Sequence, residues 1–301
     1  MSSIEDGTTP YTIQSTTTPS NNSTKVSYGT VLLSVYSVVL LTGTISLSLM
    51  IHILKSNSTS ITSIAVLNLI FAHFLFLFTV PFRIYYYASG DWNLGFWWCK
   101  VVSAMIHIHM YMSFVFYVII LITRLLTFYH KSEVINSFQR HTVVLSIVVW
   151  IVVFISVCSI QTFYGVDQNN QMNEKICFNF GRNIDSNSTV FNYIVSTVII
   201  VGATILTALQ ANVLRVLYKK YDQGCTSQQE FSAQLKSLFF ALIMVVCFIP
   251  YHVFRLYYLQ HINELESFNE MFLSLTTFNC LDMLTFLGRR TCYGCFPGKT
   301  A

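Results

Sequence analysis

Charged side chains are scarce in this chain. Asp, Glu, Lys and Arg make up 10% of the 301 residues, whereas apolar residues make up 53%. Soluble domains contain roughly 25% charged residues, so the charges here are too few to cover a water-exposed surface of ordinary composition. The sequence therefore predicts a protein that crosses a membrane several times and contacts membrane lipids. Its basic residues form no dense patch, which argues against a nucleic-acid partner.

Motifs of catalysis and cofactor binding are also missing. The sequence contains no nucleophile motif, no phosphate-binding loop and no metalloprotease helix, so an enzyme is the class it supports least. The eight cysteines show no metal-ligand spacing. Cys158, Cys247 and Cys280 lie in apolar runs, where a cysteine is usually a small core residue. His107 and His109 point to different faces of a helix. We therefore expect neither a cofactor nor a metal site.

The N-terminal segment lacks the basic start and apolar run of a signal peptide. Residues 1–27 are polar and rich in Ser and Thr, which predicts a disordered extracellular tail. Glycosylation acceptors occur at Asn21 and Asn22 in this tail and at Asn187 farther along the chain.

Seven apolar stretches follow the tail, each close to the ~20 residues that a helix needs to cross a bilayer. They are residues 31–54, 61–86, 101–128, 143–163, 191–217, 235–258 and 271–287. We expect helices, because a spanning segment must satisfy its own backbone hydrogen bonds. The predicted fold is an all-α membrane protein, a seven-transmembrane helix bundle over residues 28–288. Residues 289–301 form a short cytoplasmic tail.

The distribution of basic residues predicts the orientation of this multi-pass membrane protein. With the N-terminus outside and the C-terminus cytoplasmic, eleven of the 17 Lys and Arg residues lie in cytoplasmic segments and six lie outside. Asn187 and the acceptors of the tail then face the side where glycosylation occurs. Cys99 and Cys177 both fall just outside predicted helices on that outer side, where a disulfide can form. Two free surface thiols are the alternative.

The third apolar stretch separates Cys99 from Arg124. The 25 helical steps between them rise about 37 Å, which exceeds a hydrocarbon core of ~30 Å, so the two residues would lie at opposite membrane surfaces. The run at 92–95 (Trp-Asn-Leu-Gly), then Cys99, then Arg124 resembles the third-helix signature of rhodopsin-like (class A) G-protein-coupled receptors. The usual Asp-Arg-Tyr of that family reads Thr123-Arg124-Leu125 here.

Two polar positions differ from the pattern of that family. His73 stands where the family has an aspartate that helps to hold a sodium ion. An imidazole cannot replace a hard anionic oxygen ligand, so we expect no sodium site. Asp282 matches the family's Asp-Pro-x-x-Tyr motif, with Met283 for the proline and Phe286 for the tyrosine. It is the only carboxylate within an apolar stretch and needs a partner. The family fold places it near His73, which forms the predicted polar core with it.

The sixth apolar stretch carries the most specific match. The run at 247–255 (Cys-Phe-Ile-Pro-Tyr-His-Val-Phe-Arg) resembles the motif of the nucleotide- and lipid-receptor branch of the family. Pro250 removes a backbone hydrogen bond and bends the helix, which provides a hinge. His252 and Arg255 share a helix face, which the resemblance directs into an outer ligand pocket. Alternatively, Arg255 extends to the membrane surface and His252 makes a core hydrogen bond.

The resemblance also implies a ligand pocket and a coupling surface. The implied pocket residues are Arg83, Ile106, His107, Met110, His252 and Arg255. Cations in the pocket favour an acidic ligand such as a lipid carboxylate, a phosphate or a nucleotide, unless Arg83 and Arg255 pair with outer-loop acids. The residues implied in activation and G-protein coupling are Thr123, Arg124, Phe248, Pro250, Asp282, Phe286, Lys219, Lys220 and Lys236.

The implied function is transmission of an extracellular small-molecule or lipid signal to a heterotrimeric G protein. Thr123 cannot form the ion pair by which an acidic residue restrains the arginine in most relatives, so raised basal signalling is expected. The altered motifs also permit a receptor-fold partner protein that does not couple, and a transporter or channel is less favoured.

Cys292 and Cys295, beside two arginines, are predicted palmitoylation sites, with free thiols or a metal pair as alternatives.

Overall fold

Helices account for almost all of the residues that the structure describes. The computed structural model describes residues 20–54, 61–129, 132–163, 177–178, 186–220 and 228–289. Within these ranges there is no strand, and the predicted all-helical architecture is confirmed. The helices are α1 Ser20–Leu54, α2 Ile61–Ser89, α3 Phe96–Phe128, α4 Ser132–Phe163, α5 Ser186–Lys220, α6 Gln228–Tyr258 and α7 Ile262–Leu275. A 3-10 helix, Thr276–Arg289, continues directly from α7.

Five of these helices contain a stretch that is long and apolar enough to cross a membrane. These stretches are Tyr28–His52, Ile64–Ser89, Phe96–Phe128, Thr189–Lys219 and Ala233–Tyr258. The apolar stretch of α4 is shorter, Val143–Ser159. The seventh helix combines α7, whose first half is polar, with the 3-10 helix. Its composition is therefore less typical of a membrane span than that of the other helices.

The second helix shows how the sequence divides each helix into a lipid face and an interior face. Phe71, Phe74 and Phe78 are each more than half exposed, whereas His73 and Phe76 are buried. Side chains three and four residues apart share one face of a helix. The three phenylalanines therefore form an apolar surface that suits lipid, and His73 points into the bundle.

The third helix is the central element of the bundle. It contacts α2, α4, α5, α6 and the 3-10 helix. Its interior side chains include Ile106, Met110, Phe116 and Tyr117, none of which is exposed at all. Polar groups that meet inside the protein therefore meet on or beside α3.

Two helix boundaries differ from those expected from hydropathy. The first helix begins at Ser20, within the segment predicted as a tail, and residues 1–19 lie outside the described chain. The seventh helix begins at Ile262, before the predicted start at residue 271, because its first turns carry polar residues that hydropathy does not assign to a span.

The change from α7 to the 3-10 helix occurs where three hydroxyl side chains cluster. Ser274, Thr276 and Thr277 each donate a hydrogen bond to the carbonyl three residues earlier, at 2.7, 2.7 and 2.6 Å. Such local side-chain bonds compete with the regular α-helical ladder. This local chemistry accompanies the tighter helix that carries Cys280 and Asp282 into the interior.

Candidate functional site

A polar cluster lies in the interior where α2, α3 and the 3-10 helix meet. His73 Nε2 lies 3.2 Å from Asp282 Oδ1. The Tyr117 hydroxyl donates a hydrogen bond to Asp282 Oδ2 at 2.6 Å. All three side chains are at most 1% exposed. The structure thus brings together the two residues of the predicted polar core and adds Tyr117, which no motif in the sequence identifies.

His109 and Cys280 extend this cluster. His73 Nδ1 lies 2.8 Å from His109 Nε2. Cys280 Sγ lies 3.7 Å from His73 Nδ1 and 3.5 Å from His109 Nε2. Within the described ranges, these three residues are the one group whose nitrogen and sulfur atoms are close enough to share a metal ion. The group was not apparent from the sequence, because its members come from three separate helices.

The two histidines of α3 face different surroundings, as their spacing predicts. His109 points towards His73 and stacks against the Phe76 ring, with the ring centroids 4.3 Å apart. His107 instead approaches the carbonyl of Ser103, with Nδ1 at 3.0 Å. The two imidazoles therefore belong to different parts of the interior, and only His109 belongs to the polar cluster.

Cys99 and Cys177 form a disulfide, with their Cα atoms 5.8 Å apart. Both residues are buried in a small apolar cluster with Trp92 and Val102. The Trp92 indole donates a hydrogen bond to the carbonyl of Gly95 at 2.8 Å. Gly95 has a φ of 87°, a conformation that suits glycine because it has no Cβ. We call this part of the molecule the disulfide end.

Arg83 forms a buried ion pair at the disulfide end. Its Nη1 lies 2.6 Å from Glu270 Oε1 and also donates to the Tyr36 hydroxyl at 3.1 Å. The guanidinium carbon lies 4.3 Å from the centroid of the Phe178 ring. Since Glu270 compensates the charge, Arg83 is not the open cation that the predicted pocket requires. Arg83 instead pairs with an acid, which was the alternative to a role in the pocket, but this acid, Glu270, belongs to α7 and not to a loop.

Arg255 is directed towards the neighbouring helices. Its Nη1 donates to Asn269 Oδ1 at 3.0 Å and its Nη2 to Asn192 Oδ1 at 3.4 Å. The guanidinium carbon lies 5.0 Å from the centroid of the Tyr258 ring. Arg255 is half-buried, so its charge lies between α5, α6 and α7 near the disulfide end. This position does not match the alternative of a side chain extended to the membrane surface.

The other predicted pocket residues differ in how much polar surface they offer. His252 Nδ1 lies 3.1 Å from the Ser196 hydroxyl, and its Nε2 is buried with no hydrogen-bond partner in the described ranges. His107 is half-buried, and Ile106 and Met110 are fully buried. Of these predicted pocket residues, His107, His252 and Arg255 carry polar groups, whereas Ile106 and Met110 are apolar and have no exposed surface.

The opposite end of α3 carries Arg124, and we call it the Arg124 end. The hydroxyl of Thr123 donates to the carbonyl of Ile119 at 2.7 Å. Arg124 is half-buried, and none of the described residues forms a hydrogen bond or ion pair with its guanidinium. Lys219 is exposed near the end of α5, and Lys236 is half-buried on α6.

Phe248 and Pro250 lie on α6, where Phe248 packs against Tyr117 of the polar cluster. The Phe248 ring is fully buried, with its centroid 6.2 Å from that of Tyr117 and 6.0 Å from that of Phe114. Pro250 lies within α6. Because Tyr117 also bonds to Asp282, one tyrosine connects the polar cluster with the part of α6 that contains the proline.

Several predicted sites fall where the structure describes no side chain. They are Asn21, Asn22, Asn187, Lys220, Phe286, Cys292 and Cys295.

Another contact that no motif predicted joins α2 to α4. The Trp150 indole donates to Asn68 Oδ1 at 2.9 Å, and the Asn68 amide donates to the Ser146 hydroxyl at 3.1 Å.

The sequence profile described as "7 transmembrane receptor (rhodopsin family)" matches residues 19–285. The chain belongs to this family of multi-pass plasma-membrane receptors, which is not a class of enzymes. Together with the helices and the central α3 described above, this membership defines a seven-transmembrane receptor bundle.

Individual relatives extend this result. Probable G-protein coupled receptor 141 of Homo sapiens is 39% identical over 267 residues, which cover 85% of this chain and 87% of the relative. Segments 80–83, 107–111 and 229–231 suggest the same receptor from sequence alone. Lysophosphatidic acid receptor 6 of Gallus gallus is 28% identical, covering 77% of this chain and 76% of its own. 2-oxoglutarate receptor 1 of Rattus norvegicus is 26% identical, covering 73% and 66% respectively.

Proposed function

We propose that this protein transmits the binding of an acidic small molecule or lipid at its disulfide end to a heterotrimeric G protein at its Arg124 end. The observation that carries the proposal is Arg124 itself, at the far end of the central helix from Cys99 and without a partner in the described chain. The excess of basic residues on the Arg124 side supports a cytoplasmic location for that end. Glycosylation in the 1–27 tail and palmitoylation near the C-terminus belong to the same proposed orientation.

Signalling in such a bundle is a shift between two arrangements of the helices, and a ligand shifts the population only by binding one arrangement more tightly. Pro250 interrupts the hydrogen-bond ladder of α6 and supplies a hinge. Phe248 packs on Tyr117, so movement of α6 would disturb the contact between Tyr117 and Asp282. Movement of α6 would open a cleft in which Arg124, Lys219, Lys220 and Lys236 contact the G protein.

The residue before Arg124 bears on basal activity. Thr123 has no charge and bonds to its own helix, so it places no carboxylate beside the arginine. An ion pair at a half-buried position is worth about 1 kcal/mol, which corresponds to about a fivefold change in population. We therefore expect the unliganded receptor to signal, and Thr123→Asp to lower this basal signal about fivefold.

A panel of G-protein activation assays on the unliganded receptor tests this expectation. The matched control is Thr123→Ser, which retains the hydroxyl and should leave the basal signal unchanged. Arg124→Ala should abolish the signal at equal surface expression. A silent wild-type receptor, with all variants equally silent, would support a non-coupling partner protein instead.

The proposed ligand class follows from the cationic and polar groups at the disulfide end. Arg255 lies between α5, α6 and α7, where it donates to Asn269 and Asn192, and His252 Nε2 is buried with no hydrogen-bond partner among the described residues. A guanidinium can bind a carboxylate or phosphate through two parallel hydrogen bonds. Two of the relatives are named for acids, lysophosphatidic acid and 2-oxoglutarate. These two compounds are therefore the first probes.

Direct binding of both probes to the purified receptor tests the ligand class. Arg255→Ala should weaken binding by about 30- to 100-fold. A hydrogen bond to a charged group contributes about 1.5–3 kcal/mol, and the variant loses part of the contribution of two such bonds. Arg255→Lys should lose less, since it keeps the charge but not the planar fork. Lys100→Ala is the matched control, because Lys100 lies at the same end but packs on Phe96 and Trp97. If neither acid binds the wild-type receptor, the acidic ligand class is not supported.

A further inference from the structure

The polar cluster offers three metal-binding atoms. They are His73 Nδ1 on α2, His109 Nε2 on α3 and Cys280 Sγ on the 3-10 helix, and all lie within 4.8 Å of one another. Each of the three residues is at most 2% exposed. Imidazole nitrogen and cysteine sulfur are the donors that Zn²⁺ prefers in proteins. We propose that His73, His109 and Cys280 bind a zinc ion in the middle of the bundle.

Two of the three distances between these atoms match a tetrahedral zinc site, and the third is slightly short. With Zn–N bonds of ~2.05 Å and a Zn–S bond of ~2.3 Å, tetrahedral angles place nitrogen and sulfur ~3.6 Å apart and the two nitrogens ~3.3 Å apart. The observed nitrogen–sulfur distances are 3.7 and 3.5 Å. The two nitrogens lie 2.8 Å apart, so they need to separate by ~0.5 Å, which a small rotation of one imidazole provides.

Asp282 is placed to orient one of the ligands. Its carboxylate accepts from His73 Nε2 at 3.2 Å, which keeps the proton on that nitrogen and leaves the lone pair of Nδ1 facing Cys280 and His109. Tyr117 in turn donates to the same carboxylate at 2.6 Å. Metal-bound histidines usually donate their second nitrogen to a carboxylate in this manner, and loss of the carboxylate weakens metal affinity. Asp282 is therefore a positioning residue for the site.

The charges also balance inside the membrane. Zinc carries two positive charges, and the Cys280 thiolate and the Asp282 carboxylate carry one negative charge each. The assembled site is neutral, whereas a buried carboxylate alone is costly in a bilayer interior. On binding, the sulfur–zinc bond replaces the sulfur–hydrogen bond of Cys280, and the released proton passes to solvent.

Three ligands leave the fourth tetrahedral position open. Ser113 lies one helical turn after His109 on the same face of α3, and its hydroxyl is buried with no hydrogen-bond partner among the described residues. Asn279 precedes Cys280, and both polar atoms of its amide are buried and likewise lack a partner in the described part of the chain. In a site with three protein ligands, a water molecule takes the fourth position.

A zinc ion here would join α2, α3 and the 3-10 helix. The proposal does not rest on the proposed ligand or G protein, so it is tested by metal content alone. The full-length receptor, purified without chelator and then dialysed, should contain equimolar zinc by mass spectrometry. Cys280→Ser and His109→Gln should lower the zinc content by more than tenfold. Asp282→Asn should weaken zinc affinity by about 10- to 100-fold.

Two controls identify the site. Cys247→Ser removes another buried thiol, outside the cluster, and should keep the zinc. Cys292→Ser with Cys295→Ser removes the cysteine pair near the C-terminus and should also keep it. Retention of zinc in the Cys280 and His109 variants, with loss in the double variant, would place the metal at the C-terminus and overturn the proposal.

A measurement on the wild-type receptor covers the case in which the variants fail to fold. X-ray absorption of the zinc-loaded receptor should show one sulfur neighbour at ~2.3 Å and nitrogen or oxygen neighbours at ~2.0–2.1 Å. Cobalt substitution should produce a thiolate-to-cobalt absorption band. A folded wild-type receptor that takes up no zinc, or a spectrum that contains no sulfur neighbour, would overturn the proposal.

Discussion

Replacing Glu270 with glutamine removes the negative charge beside Arg83 and keeps the shape of the side chain. The ion pair joins α2 to α7 at 2.6 Å, and Arg83 is 1% exposed. Loss of one partner from a buried ion pair costs about 3–5 kcal/mol, because the remaining charge stays buried without compensation. Arg83 retains the Tyr36 hydroxyl and the Phe178 ring, so we expect the lower value, about 3 kcal/mol.

Thermal unfolding of the purified receptor, without ligand, measures this loss. A destabilisation of about 3 kcal/mol should lower Tm by about 6–12 °C in a protein of this size. Asp91→Asn is the matched control, because Asp91 is an exposed acid at the same end of the bundle. An exposed substitution of this kind should stay within about 0.5 kcal/mol of wild type.

The double variant Arg83→Met with Glu270→Gln separates the cost of an unpaired charge from the cost of lost packing. Methionine keeps a favourable contact with the aromatic rings, and a neutral pair in place of a buried ion pair is often nearly as stable. Most of the loss in Tm should therefore be recovered. The assigned electrostatic role of the pair is wrong if Glu270→Gln unfolds at the same temperature as the wild type. It is also wrong if the double variant is no more stable than the single variant.

Three further substitutions test the packing of the bundle, each by thermal unfolding. Gly43→Leu should destabilise the bundle strongly, because even a Cβ on Gly43 would lie 2.9 Å from Leu77 Cδ2. The control is Gly29→Leu, because a Cβ on Gly29 would meet open space. Cys99→Ser should lower the free energy of unfolding by about 2–5 kcal/mol, because the disulfide is lost. A Tm equal to that of the wild type would contradict this expectation. Asn68→Ala should cost about 1–3 kcal/mol, because the Trp150 indole loses its acceptor, and Asn68→Asp, which keeps an acceptor, should lose less.

The sequence was sufficient for those features that depend on local order along the chain. Apolar stretches of bilayer length predict the helices because a membrane-spanning segment must bond its own backbone. The rise of a helix fixes Cys99 and Arg124 at opposite ends of α3 whatever packs around it. The seventh helix was placed less well, since the polar residues of α7 and the hydroxyls before Thr276 do not follow the hydropathy pattern.

The tertiary structure alone decided which polar groups meet. His73 and Asp282 are 209 positions apart and Arg83 and Glu270 are 187 apart. A family resemblance suggested the first pair. The sequence suggested an outer-loop acid as a partner for Arg83 but not Glu270, and nothing in it suggested the approach of His109 and Cys280 to His73. Periodicity determines only the face of a helix on which a side chain lies. Which faces meet, and at what depth, depends on how all seven helices pack together.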